Sequence, residues 1–216
     1  MEKFYTNQKQ EGFVTVRFKG NGGNFTAEQL LKIQEVAKNF GEGFVHLTSR
    51  QEIAVPSIKF ENIPQIEKII SESTLEAATI GLTFKTVTAC QGNQFCKFGQ
   101  IDTLKVATEI EKRHAGQVLP HKFNLGVTGC PNDCMKAEGN DIGIKGTRAG
   151  FLIYFRGEKF PPVVKTEEKL YEIVDAVIKF YSENAKPRER FKLFIKHDTW
   201  KNFLETLPNI IQPSAN

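Results

Sequence analysis

All four cysteines of the 216-residue chain fall between residues 90 and 134. Two lie in T-A-C-Q-G-N-Q-F-C, residues 88–96, and two in G-C-P-N-D-C, residues 129–134. The spacing is C-x5-C and C-x3-C, with 33 residues between the pairs. Three chemistries are open. Free cysteine is often a small buried hydrophobe, but close pairs in loops rich in Gly, Asn and Pro fit that role poorly. Structural zinc prefers two to four residues between paired ligands, which suits Cys130 and Cys134 but makes Cys90 and Cys96 a loose match. An iron–sulfur cube takes four thiolates, is larger than one zinc ion and tolerates wider spacing, and loop amides can donate to its sulfides. The spacing favours the cube.

The elements around these loops show how they are held. Residues 12–19, G-F-V-T-V-R-F-K, alternate as a strand does. After the turn N-G-G-N, Thr26 and Gln29 form a capping-box pattern that starts a helix over about 27–39, with Leu30, Ile33, Val36, Ala37 and Phe40 on one face. Gly41 and Gly43 stop it. Strands are expected at 44–48 and 52–55 and a helix at 63–72. This β-α-β-β-α order, with a strand near 84–89, resembles a ferredoxin-like α+β unit. Beyond it, 84–88 and 122–128 read as strands that each run into a cysteine loop, flanking a helix over 102–114. Segments 141–145 and 150–155 read as a hairpin, and 167–182 and 187–207 as helices. If the two loop-bearing strands lie side by side, the four sulfurs converge. The fold class is α+β, with a boundary near residue 75: residues 1–75, then 76–216.

Bulk composition excludes several classes. Lys plus Arg number 29 against 25 Asp plus Glu, a net charge of +4. The basic residues are dispersed, apart from a short run at Lys186, Arg188 and Arg190 broken by Glu189, so no nucleic-acid-binding stripe is present. No apolar stretch is long enough to span a membrane. The first ten residues lack the apolar run of a secretory leader, so a cytoplasmic location with reduced thiols is the expectation. The histidines, His46, His114, His121 and His197, are scattered and form no ligand pair.

The cysteine motifs resemble the paired signature of the siroheme-dependent nitrite and sulfite reductase family. Both spacings match, as do the Gly-Asn of the first loop and the Pro-Asn of the second. G-N-G-G-N-F-T-A-E-Q-L is similar to the family's glycine-rich turn and helix start, H-L-T-S-R-Q-E-I to its Leu-Thr-Thr-Arg-Gln strand, and L-P-H-K-F-N to its lysine-bearing segment. The likeness covers about residues 12–156 and one copy of a unit that larger members carry twice.

The resemblance implies a ferredoxin-like half-domain followed by a domain holding siroheme and a 4Fe–4S cluster. Cys90, Cys96, Cys130 and Cys134 would be the cluster ligands, with Cys134 shared with the siroheme iron. Arg50, Lys85 and Lys122 would face the anionic substrate. Asn132, Asn124, Arg17 and Gln51 would serve the cofactor. The implied reaction is six-electron reduction of sulfite to sulfide, with nitrite to ammonia as the neighbouring alternative and a non-catalytic electron carrier or redox sensor as another class. An external ferredoxin-like protein would donate electrons, and a symmetric homodimer would restore a two-repeat arrangement. One departure stands out: the family often has Lys-x-Lys where this chain has Lys122-Phe123-Asn124, one cation fewer on one strand face.

Overall fold

The computed structural model describes residues 4–211. The chain divides into two units, Met1–Gly81 and Leu82–Asn216.

In the first unit β1 (Tyr5–Asn7), β2 (Phe13–Lys19), α1 (Ala27–Phe40), β3 (His46–Leu47), β4 (Ile53–Lys59), α2 (Ile63–Ser71) and β5 (Glu76–Ala77) follow in order. The sheet runs β1-β2-β4-β3, all antiparallel, with β5 also paired to β2. Strand alternation sends Val14, Val16 and Phe18 to the core, where Ile33, Val36 and Ala37 of α1 and Ile63, Ile66 and Ile70 of α2 meet them. Burying each large side chain contributes about 1.5–3 kcal/mol relative to exposure. The other sheet face keeps Thr15 and Arg17 half-buried rather than sealed in the core. The capping box forms: the Gln29 amide donates to Thr26 Oγ1 at 3.1 Å, and the Thr26 amide donates to Gln29 Oε1 at 2.9 Å.

β4 is longer than the four residues expected from sequence because it continues through Pro56. Val16 pairs with Val55 and Val14 with Ile58, so Pro56 and Ser57 together oppose Thr15, and Ser57 has φ 59°. A bulge of this kind tolerates a residue without an amide proton.

The second unit contains β6 (Thr88–Ala89), α3 (Gly92–Phe95), α4 (Thr103–His114), β7 (Leu125–Thr128), β8 (Ile142–Thr147), β9 (Gly150–Phe155), β10 (Glu158–Val164), α5 (Glu167–Asn184), α6 (Phe191–Phe194) and α7 (Asp198–Ile211). Its sheet order is β10-β9-β8-β7-β6, with β6, β7 and β8 parallel and the remainder antiparallel. β10 was not anticipated. It carries Pro161 and Pro162, and the ladder shifts register between Phe160 and Val164 at the sheet edge, where no second partner needs the missing protons. Of the strand expected at 84–89 only Thr88–Ala89 joins the ladder, and Phe84 makes an isolated bridge to Phe123.

The last expected helix, 187–207, is broken between α6 and α7. Phe194 and Trp200 both enter the core, at 0% and 1% exposure. In one continuous helix six residues would leave them about 120° apart. The intervening turn, in which the Lys196 amide donates to Leu193 O and the His197 amide to Phe194 O, re-aims Trp200 into the same cluster as Phe155, Phe191 and Phe194.

Candidate functional site

The parallel pairing of β6 with β7 sets Thr88 opposite Gly126 and Ala89 opposite Val127. Both strands therefore deliver their cysteine loops at the same carboxyl edge of the sheet, the usual place for sites in parallel sheets. The loops are stitched together. The Cys90 amide donates to Val127 O at 3.2 Å, and the Gln100 amide to Gly129 O at 2.7 Å. The Gly129 amide donates to Cys90 Sγ at 3.0 Å. The Thr103 hydroxyl donates to Cys90 O, tying the first loop to the start of α4.

Glycine makes the first loop possible. Gly92 has φ 59°, and a Cβ there would stand 2.5 Å from Thr103 Oγ1 and 2.8 Å from Ile101 O. All four thiols are free; Cys130 is buried, Cys90 half-buried, and Cys96 and Cys134 are exposed. Among the described residues no three Cys, His, Asp or Glu side chains gather around one metal-ion position. Four free thiols on two stitched loops, one already accepting an amide proton, have the donor chemistry of an iron–sulfur cluster, whose sulfurs take N–H bonds.

The second loop is held from behind. Asp133 and Lys136 have φ 50° and 49°. Asp133 Oδ1 accepts from the Ala137 amide at 2.7 Å, and Asp133 Oδ2 lies 3.5 Å from Lys145 Nζ. Lys145 on β8 is buried and also pairs with Glu138. Burial alone would lower the Lys145 pKa, but the Glu138 hydrogen bond and the Asp133 charge outweigh it and hold the pKa above its ordinary value. Asn132 is exposed.

The expected substrate-facing cations of this unit differ in setting. Lys85 is buried and donates through Nζ to Thr83 Oγ1 at 2.9 Å, whereas Lys122 is exposed. The Lys85 amide donates to Phe123 O at 2.9 Å, so the two lysine segments run side by side. Asn124 is half-buried; its amide donates to Asp141 Oδ2 at 2.8 Å. Asp141 is itself buried, and burial pushes its pKa up against the opposing pull of the Asn124 amide and Arg156. His121 Nδ1 is buried without a hydrogen-bond partner, and burial, followed by the Arg190 charge, lowers its pKa.

In the first unit Arg17, His46, Thr48, Ser49 and Arg50 line a pocket of about 550 Å³ on the sheet face opposite the core. Glu52, at 1% exposure, organises the guanidinium groups: Arg50 Nε lies 3.3 Å from Oε1, and Arg17 Nη1 lies 4.0 Å from Oε2. Arg17 Nε is buried without a hydrogen-bond partner. Two guanidinium groups beside hydroxyls suit a ligand bearing carboxylates or oxyanions, which is the chemistry of siroheme's rim. Gln51, with φ 60°, is placed against the glycine turn, where a Cβ on Gly23 would come within 2.9 Å of its side chain.

The structure therefore groups Arg17 with Arg50 in one unit, and the four cysteines, Lys85, Lys122, Asn124 and Asn132 in the other. Sequence reading missed Glu52, Thr103, Asp133 and Lys145. Asp133 lay inside the C-x3-C motif, and Glu52 stands two residues beyond Arg50, so position was the available signal for both. Nothing local marks Lys145.

A family model described as the nitrite and sulphite reductase 4Fe-4S domain matches residues 81–210, and one described as the nitrite/sulfite reductase ferredoxin-like half domain matches residues 6–73. The chain is 28% identical over 203 residues to the NAD(P)H nitrite reductase of Bacillus subtilis, covering 90% of this chain and 25% of that protein. It is 31% identical over 158 residues to a component of the anaerobic sulfite reductase of Salmonella typhimurium, covering 66% of this chain and 46% of that protein. The chain thus spans less than half the length of these curated relatives. Among solved structures, dissimilatory sulfite reductase I superposes with a TM-score of 0.81 at 16% identity, covering 94% of this chain and 72% of that one. The NirA protein of Mycobacterium tuberculosis superposes with a TM-score of 0.76 at 19% identity, covering 92% of this chain and 40% of that one. At these identities the structural likeness is one of fold.

Proposed function

The chain belongs to the nitrite and sulphite reductase family, and we propose that it reduces sulfite to sulfide, with nitrite reduction to ammonia as the alternative on the same machinery. The observation that carries this reading is the stitching of the two cysteine loops at one edge of the parallel sheet, with the Gly129 amide on Cys90 Sγ. Relatives named for each anion are about equally distant, at 28% and 31% identity, and the motifs are common to both, so the turnover assay below decides between the two anions.

In this reading Cys90, Cys96, Cys130 and Cys134 would hold a 4Fe–4S cluster within residues 76–216, and Cys134 would also serve the siroheme. When bound, these groups would supply single electrons and an iron able to bind and activate the anion. The chain contributes charge and orientation. Arg17, Gln51, Asn124 and Asn132 are assigned to the cofactor rim. Arg50, Lys85 and Lys122 are assigned to the substrate anion, where fixed cations favour charge on departing oxygens. Lys85 is oriented by Thr83, and Arg50 by the buried Glu52. Electrons would come from an external ferredoxin-like protein in a cytoplasmic setting, and a homodimer would supply a second copy of the unit.

Neutral Asn124, where the family often has lysine, favours a second reading in which the chain binds the cofactors to carry electrons or sense redox state. Both readings are tested on protein made without oxygen in a siroheme-producing host. Iron, acid-labile sulfide and visible bands are measured first, then consumption of sulfite and nitrite with a reduced viologen. Turnover of sulfite upholds the main reading. Full loading with no turnover of either anion selects the carrier.

A further inference from the structure

We propose that Lys145 is a positioning residue for the second cysteine loop, holding Cys130 and Cys134 in ligand-presenting geometry by pairing with one carboxylate on each side of Cys134. The proposal deepens the cluster reading and, for its cofactor consequences, rests on it.

The geometry begins in the sheet. Gly126 on β7 and Gly143 on β8 are paired neighbours in the parallel ladder. A Cβ on Gly143 would stand 2.3 Å from Ala137 O, and a Cβ on Gly126 would stand 2.5 Å from Asn140 Nδ2. The short turn at 137–139 therefore lies directly on the strands, and only glycine leaves room for it. Lys145 stands two residues beyond Gly143 and so projects from the same face of β8. Its ammonium reaches Glu138 in that turn and Asp133, 3.5 Å away, in the cysteine loop. The ring of Tyr154 lies 5.0 Å from Nζ and covers it on another side.

The two acids straddle Cys134: Asp133 precedes it, and Glu138 follows four residues later. Asp133 holds a left-handed backbone, φ 50°, which aspartate tolerates better than most residues when its carboxylate is bonded locally. Two side-chain contacts hold it here, the Ala137 amide on Oδ1 and Lys145 on Oδ2, beside the backbone bonds from the Asp133 amide to Cys130 O and from the Lys136 amide to Asp133 O. Lys145 is 7% exposed, so its removal leaves two carboxylates facing each other beside the loop with no cation between them. The loop would then open at Cys130, the sulfur it keeps buried.

The test compares the full chain with Lys145→Met, Lys145→Arg, Asp133→Asn, the Asp133→Asn/Lys145→Met double variant and, as a control for general stability, Trp200→Phe in the α6–α7 aromatic core. Alkylation of each cysteine in the reduced, cofactor-free chain is followed by peptide mass. Release of iron to a chelator is followed in the loaded protein. Loss of a residue that orients metal ligands commonly costs about 10–100-fold in metal affinity. Lys145→Met is expected to raise Cys130 alkylation and iron release by about tenfold or more. Lys145→Arg is expected to restore both, and the effects of Asp133→Asn and Lys145→Met to be less than additive. Trp200→Phe should lower the melting temperature without changing Cys130 alkylation. Unchanged Cys130 alkylation in Lys145→Met, or an increase matched by Trp200→Phe at equal melting temperature, overturns the proposal. If the wild-type chain takes up no iron, the cluster reading fails by itself, and alkylation alone decides whether Lys145 holds the loop.

Discussion

The Gly129 amide donates to the Cys90 sulfur at 3.0 Å across 39 residues of sequence. This bond links the two cysteine loops directly and exists because β6 and β7 lie parallel and in register, ending at the same edge. An amide aimed at a thiolate sulfur stabilises its negative charge and raises the potential of a cluster it binds.

Gly92→Ala should destabilise the second unit by about 1–3 kcal/mol, the usual cost of forcing a side chain into a left-handed position, with further cost from contact with Thr103 and Ile101 O. Urea unfolding of the reduced, metal-free chain measures it. Wild-type stability in the variant would mean that the first loop has another accessible conformation.

Serine at any one of Cys90, Cys96, Cys130 or Cys134 should reduce iron and acid-labile sulfide in anaerobically prepared protein. Cys134→Ser should in addition weaken the haem bands, because that thiolate is assigned to both groups. Zinc in place of iron in the wild-type protein would remove the cluster assignment.

Lys122→Met should lower anion turnover by about 10²–10³-fold, the common cost of losing one positioned donor, while iron content and visible bands stay at wild-type levels. Asn124→Lys, which supplies the second lysine of the family's Lys-x-Lys segment, should raise turnover. Normal rates in Lys122→Met would remove this exposed lysine from the substrate face.

Asp141 should make stability depend on pH in the sense opposite to that of an ordinary ion-paired carboxylate. Burial raises its folded pKa above the unfolded value of 3.8. The native state therefore binds the proton more tightly, and stability attributable to this group is full below that value and is lost as pH rises through the folded pKa. Relative to Asp141→Asn, the wild-type protein should gain melting temperature as pH falls from neutral toward the unfolded value of 3.8. A difference that does not change with pH would show Asp141 to be unshifted.

Much of the fold was legible before the structure. α1, α2, α4 and α5, the β8–β9 hairpin and the capping box at Thr26 and Gln29 all come from short-range signals, namely periodicity, caps and turn residues. The misses have long-range causes. β10 carries two prolines and is tolerated only because it lies at a sheet edge. The helix expected at 187–207 breaks because Phe194 and Trp200 share one core, a demand that no local propensity expresses.

For the site the division follows the same physics. The sequence by itself determined the candidate ligand set: four cysteines at two fixed spacings, in loops whose glycines and prolines mark tight backbone, together with the family those motifs match. It also supplied Arg17, Arg50, Lys85 and Lys122 as candidate cations, because charge type and motif position are written in the chain. Only the tertiary structure decided which groups orient these residues. Glu52 lies behind both arginines, Thr83 under Lys85, Thr103 on the Cys90 carbonyl, and Lys145 between Asp133 and Glu138. Glu52 and Thr83 act on Arg50 and Lys85 from two residues away, whereas the Arg17–Glu52, Thr103–Cys90 and Lys145 contacts depend on strand register or on a glycine-sized gap between elements. Register and close approach are settled when the whole core packs, so residues distant in sequence acquire their roles only in the folded chain.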